Sequence, residues 1–272
     1  MLNNRPPAVA GMFYPADPAD LNASIDQLLA AIPANAPPTA PGSRPKALIV
    51  PHAGYIYSGS TAAAAYARLA PWSADIRRVV LLGPTHRVAV DGIALPEAEA
   101  FTTPLGSIRL DAQVIARLAG LPQIVFSDQA HAFEHSLEVH LPFLQRILDQ
   151  FTLVPLAVGH ATPEAVAEVI DLLWGGPETL IVVSSDLSHY LPYATAQQVD
   201  RNTCQHILHL DADLRPEQAC GAYPMNGLLL TARRRGLRPE LLACRNSGDT
   251  AGDRHRVVGY AAFTISEGGH HG

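Results

Sequence analysis

Four short apolar runs, each closed by a polar side chain capable of chemistry, constrain this chain most. Lys46–His52 ends in Pro51-His52, and Arg78–Leu82 leads into Gly83-Pro84-Thr85-His86. Thr152–Val158 leads into Gly159-His160, and Thr179–Val183 into Ser184-Ser185-Asp186. Runs this short and this rich in Val, Leu and Ile read as strands buried on both faces. Helical spacing falls around and between them, over Pro18–Ile32 (with Asp17 as N-cap), Ser58–Leu69, Asp111–Ala119, Phe133–Gln150, Pro163–Trp174 and Tyr193–Leu210. Parallel strands need long crossovers, and helices supply them. The expected fold class is therefore α/β, with a mostly parallel central sheet and helices on both faces. Ile93–Leu110 reads as a hairpin beside that sheet and Arg256–Ile265 as a last strand. No repeat or linker divides the chain, so residues 1–267 are expected to form a single domain, with 268–272 a frayed tail or cloning remnant.

Composition narrows the function classes. At 48% hydrophobic and 16% charged residues, the 272-residue chain is built to bury a core. Nineteen Lys and Arg stand against 25 Asp and Glu, a formal net charge of -6 that offers no grip on nucleic acid or an anionic membrane. No stretch approaches the roughly 20 apolar residues of a membrane span. The N-terminal segment lacks the basic start and apolar run of a signal peptide. Three cysteines, Cys204, Cys220 and Cys244, form no CxxC and no disulfide framework, which fits a reducing, cytoplasmic setting.

The strand-end residues carry the chemistry. In open α/β sheets the functional cleft lies beyond the carboxyl ends of the strands. His52 and His86 both occupy such positions, and imidazole is a common ligand for iron, copper and zinc. Asp186 and His189 are three apart, so a helix starting there would put carboxylate and imidazole on one face, suited to proton transfer. The run His131 to His140 is the densest cluster. It holds Glu134, His135, Glu138 and His140 but no His-Glu-x-x-His motif, and it also reads as an amphipathic helix. Cys244 closes an apolar run before the turn-forming Ser247-Gly248-Asp249, and reads either as a buried small residue or as a thiolate ligand. Cys204 and Cys220 fall in expected helical segments and read as structural.

Several of these segments together resemble the Memo family, known in prokaryotes as AmmeMemoRadiSam system protein B. The resemblance runs through Arg5-Pro6-Pro7-Ala8-Val9-Ala10-Gly11-Met12-Phe13-Tyr14-Pro15, Pro51-His52-Ala53-Gly54-Tyr55-Ile56-Tyr57 and Gly83-Pro84-Thr85-His86. It continues in Glu134-His135-Ser136-Leu137-Glu138-Val139-His140-Leu141-Pro142, Ser184-Ser185-Asp186-Leu187-Ser188-His189-Tyr190 and Cys244. It implies a fold like that of the class III extradiol dioxygenases and a His/His/Cys metal site of His52, His86 and Cys244. His189, with Asp186, would serve as acid and base. Glu134, His135, His140 and Tyr55 would contact substrate or support the ligands. Iron(II) is the implied metal, with copper or zinc as alternatives. The implied activity is a dioxygenase-like oxidoreductase acting on a small molecule or a peptide. Two alternatives are a non-catalytic copper- or iron-binding scaffold and a zinc hydrolase. AMMECR-type and radical-SAM proteins are the implied partners.

Overall fold

A computed structural model describes residues 3–33 and 44–267. Most of the Pro33–Pro45 loop and the expected tail at 268–272 lie outside them. In chain order, the N-terminal part comprises β1 (Asn4–Arg5), α1 (Pro18–Ala30), β2 (Pro45–Val50), α2 (Tyr55–Tyr66), β3 (Arg78–Pro84), β4 (Ile93–Leu95), β5 (Ala100–Thr103) and β6 (Gly106–Arg109). Next come α3 (Ala112–Leu118), β7 (Ile124–Phe126), α4 (Asp128–Ala132), α5 (Leu141–Ile147), β8 (Thr152–Val158) and α6 (Pro163–Leu172). The remainder is β9 (Thr179–Ser184), β10 (His189–Leu191), α7 (Tyr193–Leu208), α8 (Ala222–Arg234), β11 (Arg238–Asn246) and β12 (Val257–Ser266).

The four apolar runs are β2, β3, β8 and β9, and they form the centre of a nine-stranded mixed sheet in the order β10-β12-β2-β9-β3-β8-β4-β7, with β11 on β12. β2, β9, β3 and β8 run parallel, while β12 and β4 flank them antiparallel. Nearly every residue of these four strands is buried, because helices cover both surfaces. The step from β2 to β3 crosses the sheet in one direction and the step from β8 to β9 in the other. Right-handed crossovers therefore put α2 and α6 on opposite faces. α1 and α5 pack with α2, and α8 packs with α6 against β3 and β9. Leu81, Leu82, Val182 and Val183 are wholly enclosed. Cutting one such leucine to alanine costs ~2–5 kcal/mol.

Local chemistry explains the elements that matched expectation. Asp17 accepts hydrogen bonds from Ala19 N and Asp20 N, and Pro18 stands in the first turn of α1. The expected hairpin is β5–β6, which with β1 makes a separate three-stranded sheet; β4 instead joins the main sheet.

Three expectations are corrected. Phe133–Gln150 is not one helix: only a 3-10 turn at Glu138–His140 and α5 form. Pro142 sits in the first turn of α5, a position where its missing N–H costs nothing. Upstream of it Glu138 is drawn into the interior, accepting from Ala8 N (2.7 Å), Val9 N (2.9 Å) and Tyr14 Oη (2.5 Å) and pairing with Arg5. Those tertiary contacts outweigh helical continuity. Second, no helix starts at Asp186, because His189 enters β10 and pairs with Val258. Third, Cys220 does not lie within a helix but in the turn before α8.

Candidate metal centre

β2, β9 and β3 are adjacent and parallel, with Val50 beside Ser184 and Leu82 beside Val183. Their carboxyl ends open on one edge, and the loops leaving them bring His52, Asp186 and His86 together. The ring centroids of His52 and His86 lie 5.1 Å apart, with His135 5.4 Å from the first and 4.8 Å from the second. His135 comes from the segment before α5, which closes tightly on β3 at Gly83. A Cβ there would stand 2.8 Å from Ser136 Oγ and 2.9 Å from Leu137 Cδ2.

Hydrogen bonding fixes which ring nitrogens carry protons. Ser184 Oγ donates its one proton to Ser136 O at 2.6 Å. It must therefore accept from both His52 Nδ1 (2.6 Å) and His140 Nε2 (2.8 Å). His140 Nδ1 is then bare and accepts from Tyr66 Oη at 2.9 Å. In His52 the bare nitrogen is Nε2, and it faces Cys220 Sγ at 3.4 Å. At His86, Nδ1 donates to Glu134 Oε1 at 2.9 Å and the backbone N to Glu134 Oε2 at 2.6 Å. Nε2 of His86 is thereby left free as well. His135 Nδ1 lies 3.4 Å from the same Glu134 oxygen. Two groups follow: His52, His86 and Cys220, and His86, Glu134 and His135, the potential ligand atoms of each lying within 4.8 Å of one another.

The electrostatics favour a cation. Burial holds His52 well below the ordinary imidazole range, and the neighbouring His86 and His135 rings add to the effect. Burial likewise lowers His135 to about 4 and His140 to about 3. Burial alone would push the Glu134 carboxyl up, but hydrogen bonds from His86 bring it down to about 2. Neutral rings beside a fixed carboxylate present lone pairs, not protons. Burial raises the Cys220 thiol to about 12, so only a metal would make it a thiolate here. The His86 side chain is 30% exposed, so the group is open to solvent on that side.

Cys244 does not join this centre. It lies exposed on β11 opposite Ala261, with its sulfur 3.9 Å from Cys204 Sγ. β11 runs along the sheet's far margin, so an apolar run ending there leads away from the cleft. Cys220 takes its place, held by Asp186 N (3.3 Å) on its sulfur and by its own N–H on Asp186 O (3.3 Å). The sequence signal was Cys220-Gly221 opening a helix with Pro224 in its first turns. A Cβ at Gly221 would meet Ser184 O at 2.5 Å, so glycine lets the turn approach β9.

The Asp186 carboxylate accepts from His52 N at 2.8 Å, not from the His189 ring, and burial pushes its pKa up to about 7. His189 is partly buried in β10, and burial lowers its pKa, the neighbouring His86 ring adding to the effect. His140 supports Ser184 from behind. Tyr55 is buried, and its hydroxyl donates to Val139 O at 2.9 Å, bracing the turn that carries His140. His160, at the end of β8, is exposed and packs edge-on against Tyr223.

The fold and this cluster define an α/β protein with a group of His, Cys and Glu side chains able to hold a metal. The family model described as Memo-like protein matches residues 5–264, and the chain belongs to that family. It is 36% identical to a MEMO1 family protein of Sulfolobus acidocaldarius, over 97% of this chain and 99% of that one. It is 37% identical to one of Ignicoccus hospitalis (95% and 97% covered) and 35% identical to one of Aquifex aeolicus (94% and 97%). Among solved structures, the crystal structure of uncharacterized protein JW3007 from Escherichia coli K12 superposes with a TM-score of 0.51 at 13% identity. It covers 83% of this chain and all of that one, a likeness of fold alone. Among the described residues no helix is long and apolar enough to cross a membrane.

Proposed function

We propose that this protein is a metal-dependent oxidoreductase that holds iron(II) with His52, His86 and Cys220 and acts on a small, largely apolar substrate. One observation carries the reading: the shared Ser184 and Glu134 partners leave the Nε2 lone pairs of His52 and His86 bare, with a thiol 3.4 Å from the first. When bound, iron(II) supplies one-electron chemistry that no side chain offers. The thiolate contributes the negative charge that two imidazoles lack. Asp186, poised near neutrality, and His189 are the groups to hold and move protons at the substrate. Met12, Ile56, Phe133 and Tyr190, the most exposed large apolar residues described, all lie close in sequence to site residues or to Phe13. Phe13 itself packs 4.8 Å from the His135 ring, and an aromatic wall beside the cluster suits a hydrocarbon or aromatic substrate better than a sugar.

Anaerobic reconstitution with iron(II), followed by oxygen uptake over a panel of phenols and catechols, tests the reading. Uptake should depend on His52, His86 and Cys220 and fall at least tenfold in His189→Ala. No uptake above the His189→Ala rate with any compound would reject it. The partly buried thiol beside an imidazole supports a second reading, tight holding of copper(I) without turnover, because thiolate is a soft ligand. Copper(I) bound more tightly than iron(II), with every metal form inert, would favour that alternative.

A further inference from the structure

Away from the metal centre, two cysteines distant in sequence face one another. Cys204 on α7 is buried, Cys244 on β11 is exposed, and their sulfurs are 3.9 Å apart. We propose that this pair is a modification site, which a peroxide-class oxidant converts into an intramolecular disulfide joining α7 to β11.

The two thiols have different roles. Cys244 is the one solvent reaches. It accepts the Sγ–H of Cys204, and with the Arg201 guanidinium nearby its pKa is drawn below that of an ordinary thiol. Cys204, as the donor and by its burial, is held protonated. The Cys244 thiolate attacks one peroxide oxygen, the O–O bond breaks, and hydroxide leaves and takes up a proton. The product is a sulfenic acid at Cys244. Cys204 then gives up its proton and attacks that sulfur. The S–O bond breaks, and the oxygen departs as water. Two thiols and one peroxide become one disulfide and two waters, the two electrons passing from sulfur to oxygen.

The sulfurs must close from 3.9 Å to about 2 Å. β11 has slack for this: among the described strands it pairs only with β12, and its register shifts between Leu241 and Ala243, next to Cys244. The bond would also reach the metal centre indirectly. Asp200, one helical turn before Cys204, accepts from Ser188 N at 3.0 Å, and Ser188 precedes His189. Fixing α7 to β11 would therefore fix the anchor of the strand that carries His189.

The test treats the full-length protein with one equivalent of hydrogen peroxide and maps it by mass spectrometry without reduction. The expected product is a monomer in which Cys204 and Cys244 are cross-linked, restored to free thiols by dithiothreitol. Cys220→Ser should still form it, and Cys244→Ser, altered at an exposed position, should form none. Sulfinic acid at Cys244 with Cys204 still free, a Cys244-linked dimer, or a cross-link of either residue to Cys220 would each overturn the proposal. So would three free thiols after treatment.

Discussion

A hydroxyl has one proton, and Ser184 has committed it to a carbonyl. Ser184→Ala would leave His52 Nδ1 and His140 Nε2 without their acceptor, freeing His52 to rotate or change tautomer. Metal affinity should fall about 10–100-fold, read by competition with a chromophoric chelator. The unsatisfied donors should cost about 1–3 kcal/mol of stability, read from urea unfolding. The thiol gives a second prediction. Cys220 is held protonated, raised to about 12, while His52 is already neutral with its lone pair bare. Metal uptake near neutral pH should therefore release the Cys220 proton. Calorimetry in buffers of differing ionisation enthalpy should show about one proton per metal, with a slope near zero in Cys220→Ser. Cys244→Ser should match the wild type in both affinity and slope. His52 and His86 were legible in the sequence because each lies within two residues of a proline at the end of an unmistakable strand. Ser184 and Cys220 were not, because their chemistry comes from partners far along the chain. For Cys244 the residues alone left a buried small side chain or a ligand open, and the ligand role came from the resemblance; an apolar run ending in a thiol looks the same on a central strand and on a marginal one.

At the scale of elements, the alternation of apolar runs and helices was readable because burial on both faces leaves no other sequence solution. The stretch Phe133–Gln150 was not. Its apolar spacing suits a helix, but Glu138 turns inward to neutralise Arg5 and to accept two backbone N–H groups. A carboxylate with that many partners across the fold overrides local propensity. The close seat of α8 on β9 is a matter of backbone contact. In Gly221→Ala the new methyl would meet Ser184 O at 2.5 Å and Ser185 Cβ at 2.6 Å. Backbone cannot swing aside as a long side chain can, so the turn must move and take Cys220 with it. The expected outcome is an unchanged circular dichroism spectrum with metal affinity reduced about tenfold or more.

Across the whole molecule, buried neutral histidines tie stability to pH. His131 isolates the effect, because its Nε2 donates to Ala94 O at 2.9 Å, outside the metal centre, and burial lowers its pKa to about 4. A folded-state value below the unfolded one means that the stabilisation is complete above about pH 6.5 and is lost as pH falls toward 4. Between about pH 7.5 and about pH 5 this residue should cost the fold about 2 kcal/mol. Urea unfolding of His131→Gln at both pH values should show a fall smaller by that amount, and an identical fall would show that the ring is already charged in the native state. The position of β12 has a consequence for how the protein is made. It is the last described strand in sequence, yet it lies between β11 and β2, the first of the central strands. During translation the outer edge of β2 has no hydrogen-bonding partner until β12 leaves the ribosome. An unpaired apolar edge of that kind invites pairing with other chains. A nascent polypeptide halted before β12 would thus display a sticky seam, open until synthesis itself supplies the strand that seals it.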